Sequence, residues 1–277
     1  MVTFSDIVKY IDSLPPLSDV VVDIQNLYIG GIDNMDIERL IELIESDPLL
    51  TANILKFVNS PAFGVTRTIH TAAQAVTLLG VKMVYGVVMD YAINEKVVAD
   101  VSAYGVTNSA LKEISILQSR LSMKWLGKVS EEYAKFLAPL ALLMETGKLV
   151  IAAQVKASDY TANFKRQIES VPNISKYEYD LLGTTSYFVS GMLFEHWNFD
   201  PLYIKLLKNL DFKFNELSNK MKFAKNALKV VRTAINVKEQ LSEDSIAKAA
   251  KLVKKMKLDD VLFTKEAVKI KEHLEMR

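Results

Sequence analysis

The sequence predicts an all-α chain, and three observations lead there. Half the residues are hydrophobic, yet there are only ten Gly and seven Pro, too few turn formers for an all-β domain. Apolar residues recur at helical spacing, as in Ile37, Leu40, Ile41 and Ile44, instead of alternating as in strands. The stretches marked in this way begin and end at helix signals: Asp or Thr caps, Pro just inside a start, Gly at a stop.

The first part reads as a string of short helices. One covers Asp36 to Ile44, and Ser46-Asp47-Pro48 ends it and starts the next: Asp47 suits an N-cap, and Pro48 suits N1, where its missing N–H costs nothing. That next helix turns Leu50, Ile54, Leu55 and Val58 inward and stops at Asn59-Ser60-Pro61, because Pro disfavours helix at the residue before it. Gly64 to His70 reads as a loop, and Thr71 caps a helix that ends at Leu78-Leu79-Gly80, with Gly80 expected as a left-handed stop. Val81 to Ile93 resumes as an apolar helix buried on most sides. The polar stretch from Asn94 to Asn108 predicts a hinge between two helical halves, about 1–95 and 107–211.

The second half predicts helices at about 108–127, 130–145, 148–157, 160–170, 175–182, 185–197 and 200–209. Gly147 and Gly183 punctuate them, and Asp200-Pro201 repeats the start seen at Asp47-Pro48. From 212 to 277 a basic helical extension follows. Its first helix carries Leu217, Met221, Ala224, Leu228, Val231 and Ile235 in a heptad-like spacing over fewer than three heptads. The favoured reading packs this stripe on the chain's own body, and the alternative is a homodimer seam through the C-terminal helix. Lys-rich helices at 243–257 and 260–275 complete the chain.

A length of 277 residues suits one large or two modest domains. The net charge of +1 hides a division: residues 1–211 hold 18 Lys and Arg against 24 Asp and Glu, whereas 212–277 hold 16 against 9. Such a basic segment can meet nucleic acid, an acidic partner or its own acidic body. No Cys is present, which excludes disulfides and thiolate metal sites. No apolar run approaches the roughly 18–20 residues of a membrane span, the longest, Phe136 to Met144, being interrupted by Pro139. The first residues lack the basic and apolar regions of a signal peptide. A cytoplasmic protein with no membrane partner is expected.

In order along the chain stand Leu14-Pro15-Pro16-Leu17, Asp47-Pro48-Leu49-Leu50, Asn59-Ser60, Phe63-Gly64, Leu79-Gly80, Gly147-Lys148-Leu149, Gly183, Gly191 and Trp197. This series resembles the HDOD domain, a catalytically silent relative of the HD and HD-GYP phosphohydrolases found in bacterial signalling proteins, over about residues 14–211. The resemblance implies an HD-like multi-helix bundle. It also implies that the metal-binding His and Asp of HD enzymes would fall near Ile114, at Met144-Glu145, and near Ser186 and Leu210. Ile and Leu offer no donor, Met144 a soft thioether, and Ser186 a poor ligand. Glu145 alone remains, and one carboxylate cannot close a metal site. The three histidines, His70, His196 and His273, lie elsewhere. No metal, cofactor or catalytic residue is therefore expected, and neither a phosphate loop nor a nucleophile elbow occurs.

The function expected is a non-catalytic regulatory or signal-transduction module that binds a signalling protein or a small ligand. Asp47, Asn59, Ser60 and Arg67 are the binding candidates, although the first three also have local work at helix ends. One alternative is a nucleic-acid-binding regulator using Lys222, Lys225, Lys229, Arg232, Lys251, Lys254 and Lys255, with Phe212, Phe214, Phe223 and Phe263 as the tail's aromatics. The other is a diverged phosphohydrolase.

Overall fold

The computed structural model describes residues 2–29, 35–212 and 217–276, and among them every extended element is a helix; Phe214 falls outside the described residues. The first half contains α1 (Phe4–Asp12), α2 (Asp19–Ile29), α3 (Ile37–Ser46), α4 (Pro48–Val58), α5 (Ala72–Leu79) and α6 (Val81–Lys96). A 3-10 turn, Val101–Tyr104, leads to α7 (Asn108–Leu126), α8 (Glu131–Leu143), α9 (Gly147–Ala157), α10 (Thr161–Ser170), α11 (Ile174–Leu182), α12 (Ser186–His196) and α13 (Pro201–Lys208). The extension comprises α14 (Asn219–Ala234), α15 (Glu243–Lys255) and α16 (Asp260–Glu275).

The local signals act as their chemistry requires. Asp47 accepts from the N–H groups of Leu49 and Leu50, with Pro48 at the first position of α4. Thr71 and Asp200 cap α5 and α13 in the same manner. Two expectations need correction. Leu55 is only half-buried, and Phe57 takes the core position beside Ile54 and Val58. Gly80 does adopt a positive φ, but at φ 74° and ψ 156° it is extended, not left-handed helical, and α5 and α6 meet there at a bend of 118°.

The polar stretch read as a hinge is a packed connection. Val101, Ala103 and Tyr104 are buried, and the Tyr104 ring meets Phe164 edge-on at 5.3 Å. The sequence alone also understated α8 and α9. Together they form a stretch, Glu131–Ala157, long and apolar enough to cross a membrane, yet 89% of its most apolar window is buried inside the chain. It is a core helix. Gly86 lets α6 approach it, since a Cβ there would lie 2.8 Å from the Cβ of Pro139.

All six heptad-like positions, Leu217 to Ile235, are buried within the chain. The extension packs onto the second half through α14 against α7 and α8 and α16 against α7, with Phe263 edge-on to Trp125 at 5.2 Å.

Candidate functional site

At the end of α8 the chain turns through Met144, Glu145 and Thr146 before α9 begins at Gly147. Glycine is required by the approach of α12: a Cβ at Gly147 would overlap the Ser186 carbonyl oxygen and lie 2.6 Å from Ser190 N. The contact is stitched by Ser190, whose Oγ accepts from Gly147 N at 2.7 Å and donates to the Met144 carbonyl at 2.8 Å. Met144 is fully buried as apolar filling. The Gly-Lys-Leu frame therefore has a packing reason independent of any reaction.

This turn projects Glu145 into the interior, where its side chain is 2% exposed. Its carboxylate accepts from Lys148 Nζ at 2.5 Å, Gln118 Nε2 at 2.8 Å and Tyr187 Oη at 3.0 Å. Gln118 also donates to the carbonyl of Ile235 at 2.9 Å, which ties the extension to this cluster. Lys148 Nζ, 3.0 Å from Ser186 Oγ, lies over the Tyr187 ring at 4.7 Å and the Tyr104 ring at 5.5 Å. A second buried carboxylate, Glu178, accepts from Tyr104 Oη and Ser186 N, both at 2.7 Å.

The two carboxylates are tuned in opposite directions. Burial pushes Glu145 up, but the Lys148 charge and the three donors outweigh it and hold the carboxyl below its ordinary value. At Glu178 burial dominates the more distant Lys148 charge and the two donors, so its carboxyl is raised. Burial opposes the Lys148 ammonium, yet the Glu145 charge keeps its pKa above the ordinary value.

The mapped ligand positions are thus resolved individually. Ser186 reaches the cluster, but as a partner of Lys148. Ile114 is buried apolar core, and the α7 residue that meets Glu145 is Gln118, one turn later. Leu210 is also buried, while its neighbour Asp211 makes the polar contact, a 2.7 Å ion pair with Arg232. A divalent metal does not fit: Glu145 is already engaged by an ammonium and two neutral donors, and Glu178 by Tyr104 Oη and Ser186 N. Among the described residues no three His, Cys, Asp or Glu side chains converge.

The four binding candidates lie elsewhere. Asp47 caps α4. Asn59 holds Ile69 by a pair of bonds, Nδ2 to the carbonyl at 2.7 Å and Ile69 N to Oδ1 at 2.8 Å. Ser60 Oγ accepts from Phe63 N, and Arg67 is exposed. Of the basic-tail residues, Lys222, Lys251, Lys254 and Lys255 are exposed and Lys225 and Lys229 half-buried; Arg232 pairs with Asp211 and stacks over Tyr187 at 4.6 Å.

Sequence reasoning missed Gln118, Glu178, Tyr104 and Tyr187. Only the Glu145–Lys148 pair had a local signal, a spacing of three across a helix start. Beside the cluster opens a cavity of about 290 Å³, with Glu145, Lys148 and Tyr187 at its inner wall and Arg232, Lys238 and Lys248 contributed by the extension.

A family model described as the HDOD domain matches residues 14–211. No curated protein matches the chain. Among solved structures, a virulence factor of Campylobacter jejuni is 27% identical, with a TM-score of 0.53 over 92% of this chain and 90% of its own. A Marinobacter aquaeolei protein named as a candidate signal transduction protein is 17% identical, with a TM-score of 0.70 over 95% of this chain and 58% of its own. A Shewanella amazonensis protein named as a candidate phosphohydrolase is also 17% identical, with a TM-score of 0.68 over 97% and 95%. At 17% identity the last two establish the fold alone, and they extend it to nearly the whole chain.

Proposed function

The chain belongs to the HDOD family, and from that premise we propose that it is a non-catalytic regulatory module of bacterial signal transduction, working in the cytoplasm by binding a protein partner or a small ligand. The observation that carries the reading is the pairing of Glu145 with Lys148 at the position where HD enzymes would hold a metal. A fixed internal ammonium supplies the positive charge there, which supports a site that works without activating water. The signal-transduction name of one structural neighbour supports the regulatory part; the phosphohydrolase name of another sets the alternative to be tested.

Two measurements on the purified full chain test this. Elemental analysis is expected to find only trace metal, and phosphoesters and cyclic dinucleotides are expected to survive incubation. Metal near one equivalent, or hydrolysis abolished by Glu145→Gln, would overturn the non-catalytic reading. Affinity capture from a bacterial lysate is expected to enrich a signalling or regulatory protein.

The nucleic-acid reading rests on the exposed Lys222, Lys251, Lys254 and Lys255. Phe212, Phe223 and Phe263 are all in ring contacts within the chain, so this surface offers charge without evident stacking. Binding that weakens steeply with salt would favour it.

A further inference from the structure

Gly86 brings α6 onto α8 at Pro139, whereas the 118° bend at Gly80 carries α5 away toward α3 and α4. The wedge between them is a cavity of about 410 Å³. Leu79, Val81 and Met83 line it from the first half, and Met123, Ala134 and Pro139 from α7 and α8. All six are apolar. At the bend the wall is bare, since a Cβ on Gly80 would meet nothing within 4 Å.

Three charged residues complete the lining. Glu131 and Lys135 neutralise each other one turn apart on α8, at 2.7 Å. Lys82, half-buried at the start of α6, has no ion-pair or hydrogen-bond partner among the described residues. The cavity therefore offers a large apolar wall and one uncompensated positive charge. A hydrophilic anion would leave the wall unmatched, and a pure hydrocarbon would leave the ammonium unmatched. The complement is an apolar body with a single negative end.

We propose that this cavity binds a free medium-chain carboxylate, with its alkyl chain along the apolar wall and its carboxylate against Lys82. The inference deepens the small-ligand part of the function proposed above and rests on it. A volume of about 410 Å³ falls within the range of small-molecule pockets and takes a chain of about eight to ten carbons. Met83 and Met123 suit a flexible occupant, because an unbranched thioether side chain adapts to irregular apolar shapes. The walls come from both halves of the chain, so an occupied cavity would favour the arrangement that holds the α5–α6 bend at this distance from α7 and α8.

Titration calorimetry of the full chain with hexanoate, octanoate and decanoate tests the site. Saturable binding is expected, tightening about fourfold with each added methylene. Lys82→Met keeps a long side chain and removes the charge; it is expected to weaken decanoate binding about tenfold and to leave decanol binding unchanged. The control Lys265→Met, exposed on α16 and away from the cavity lining, is expected to behave as wild type. Absence of saturable binding, an affinity independent of chain length, or equal decanoate affinity in Lys82→Met and wild type would overturn the proposal. So would binding to anionic phospholipid vesicles, or a dimer lost in Lys82→Met, without binding of free decanoate; these would assign the face to a membrane or to a second copy. Failure with decanoate in a chain that still captures a signalling protein would strike this inference and leave the regulatory function standing.

Discussion

The loop from Asn59 to His70 and the junction from Met144 to Lys148 both carry residues of the family pattern, but their polar groups reach very different distances along the chain. Asn59 bonds Ile69, ten residues away, and Ser60 bonds Phe63. Glu145 takes donors from Gln118 and Tyr187, 27 and 42 residues away, and Gln118 continues to Ile235, 117 residues from itself. The loop's polar side chains shape their own backbone, whereas the junction's side chains fasten three parts of the chain to one another. If that contrast is correct, changes at the junction should cost more and spread further than changes in the loop.

The largest effect is expected at the buried ion pair. Glu145→Gln leaves the Lys148 ammonium beside a neutral amide, and should lower unfolding stability by about 3–5 kcal/mol, measured by urea denaturation. Replacing both residues with apolar side chains should bring stability closer to wild type than either single change does. A pH series sharpens the comparison. The Glu145 carboxyl is depressed in the fold, so its contribution is present above the ordinary value of 4.5 and lost as pH falls through the folded value. The deficit of Glu145→Gln should therefore shrink in acid. Glu178 is raised, so its contribution is present below 4.5 and lost as pH rises through its folded value; Glu178→Gln should accordingly cost far less at neutral pH. Equal deficits for the two substitutions at neutral pH would contradict the opposite tuning.

Next in size is Gly147→Ala. The added Cβ meets backbone of α12 and not a movable side-chain tip, so α9 and α12 must separate, at a cost of about 1–3 kcal/mol. A smaller loss would mean that the Gly147 frame is not held by this close approach. In the loop, Asn59→Ala removes both bonds to Ile69 and leaves that partly buried backbone without its partner, a loss of about 1–2 kcal/mol. The change should stay local: hydrogen exchange should rise at Ile69 and leave the Glu145 region unaltered. Altered exchange at α9 would break the distinction between the two regions. The Arg120 guanidinium provides an internal limit on that locality, since its Nη1 donates to the Ala62 carbonyl and it sits close against Gly64 from α7.

What could be read from the sequence follows the same division. Helix positions from α3 onward, the Asp47 and Asp200 starts and the break at Gly183 were legible because each depends on residues within a few positions. The inward stripe of α14 was legible for the same reason. The cluster itself was not. Nothing near Gln118 marks it instead of Ile114 as the residue that faces Glu145, because the choice depends on how α7 rotates against α8. Glu178 and Tyr187 sit in ordinary helical patterns, and the extension's carbonyl at Ile235 has no side-chain signature. Gly80 shows the limit on a smaller scale: glycine foretold a positive φ, but ψ is set by the bend between α5 and α6.

The smallest effects should appear where one motif occurs twice. Asp47 accepts from two N–H groups, Leu49 at 2.9 Å and Leu50 at 3.0 Å, whereas Asp200 accepts from Leu202 alone at 2.8 Å. Both precede a proline that fixes the first turn, so neither helix depends on its cap to begin. Asp47→Ala should cost about 1 kcal/mol and Asp200→Ala less. In both variants partner capture and decanoate binding should match wild type, because neither residue lines the apolar cavity. Loss of partner binding in Asp47→Ala with only this small loss of stability would instead make its half-buried carboxylate part of a recognition surface, and the first half could no longer be read as doing local work alone.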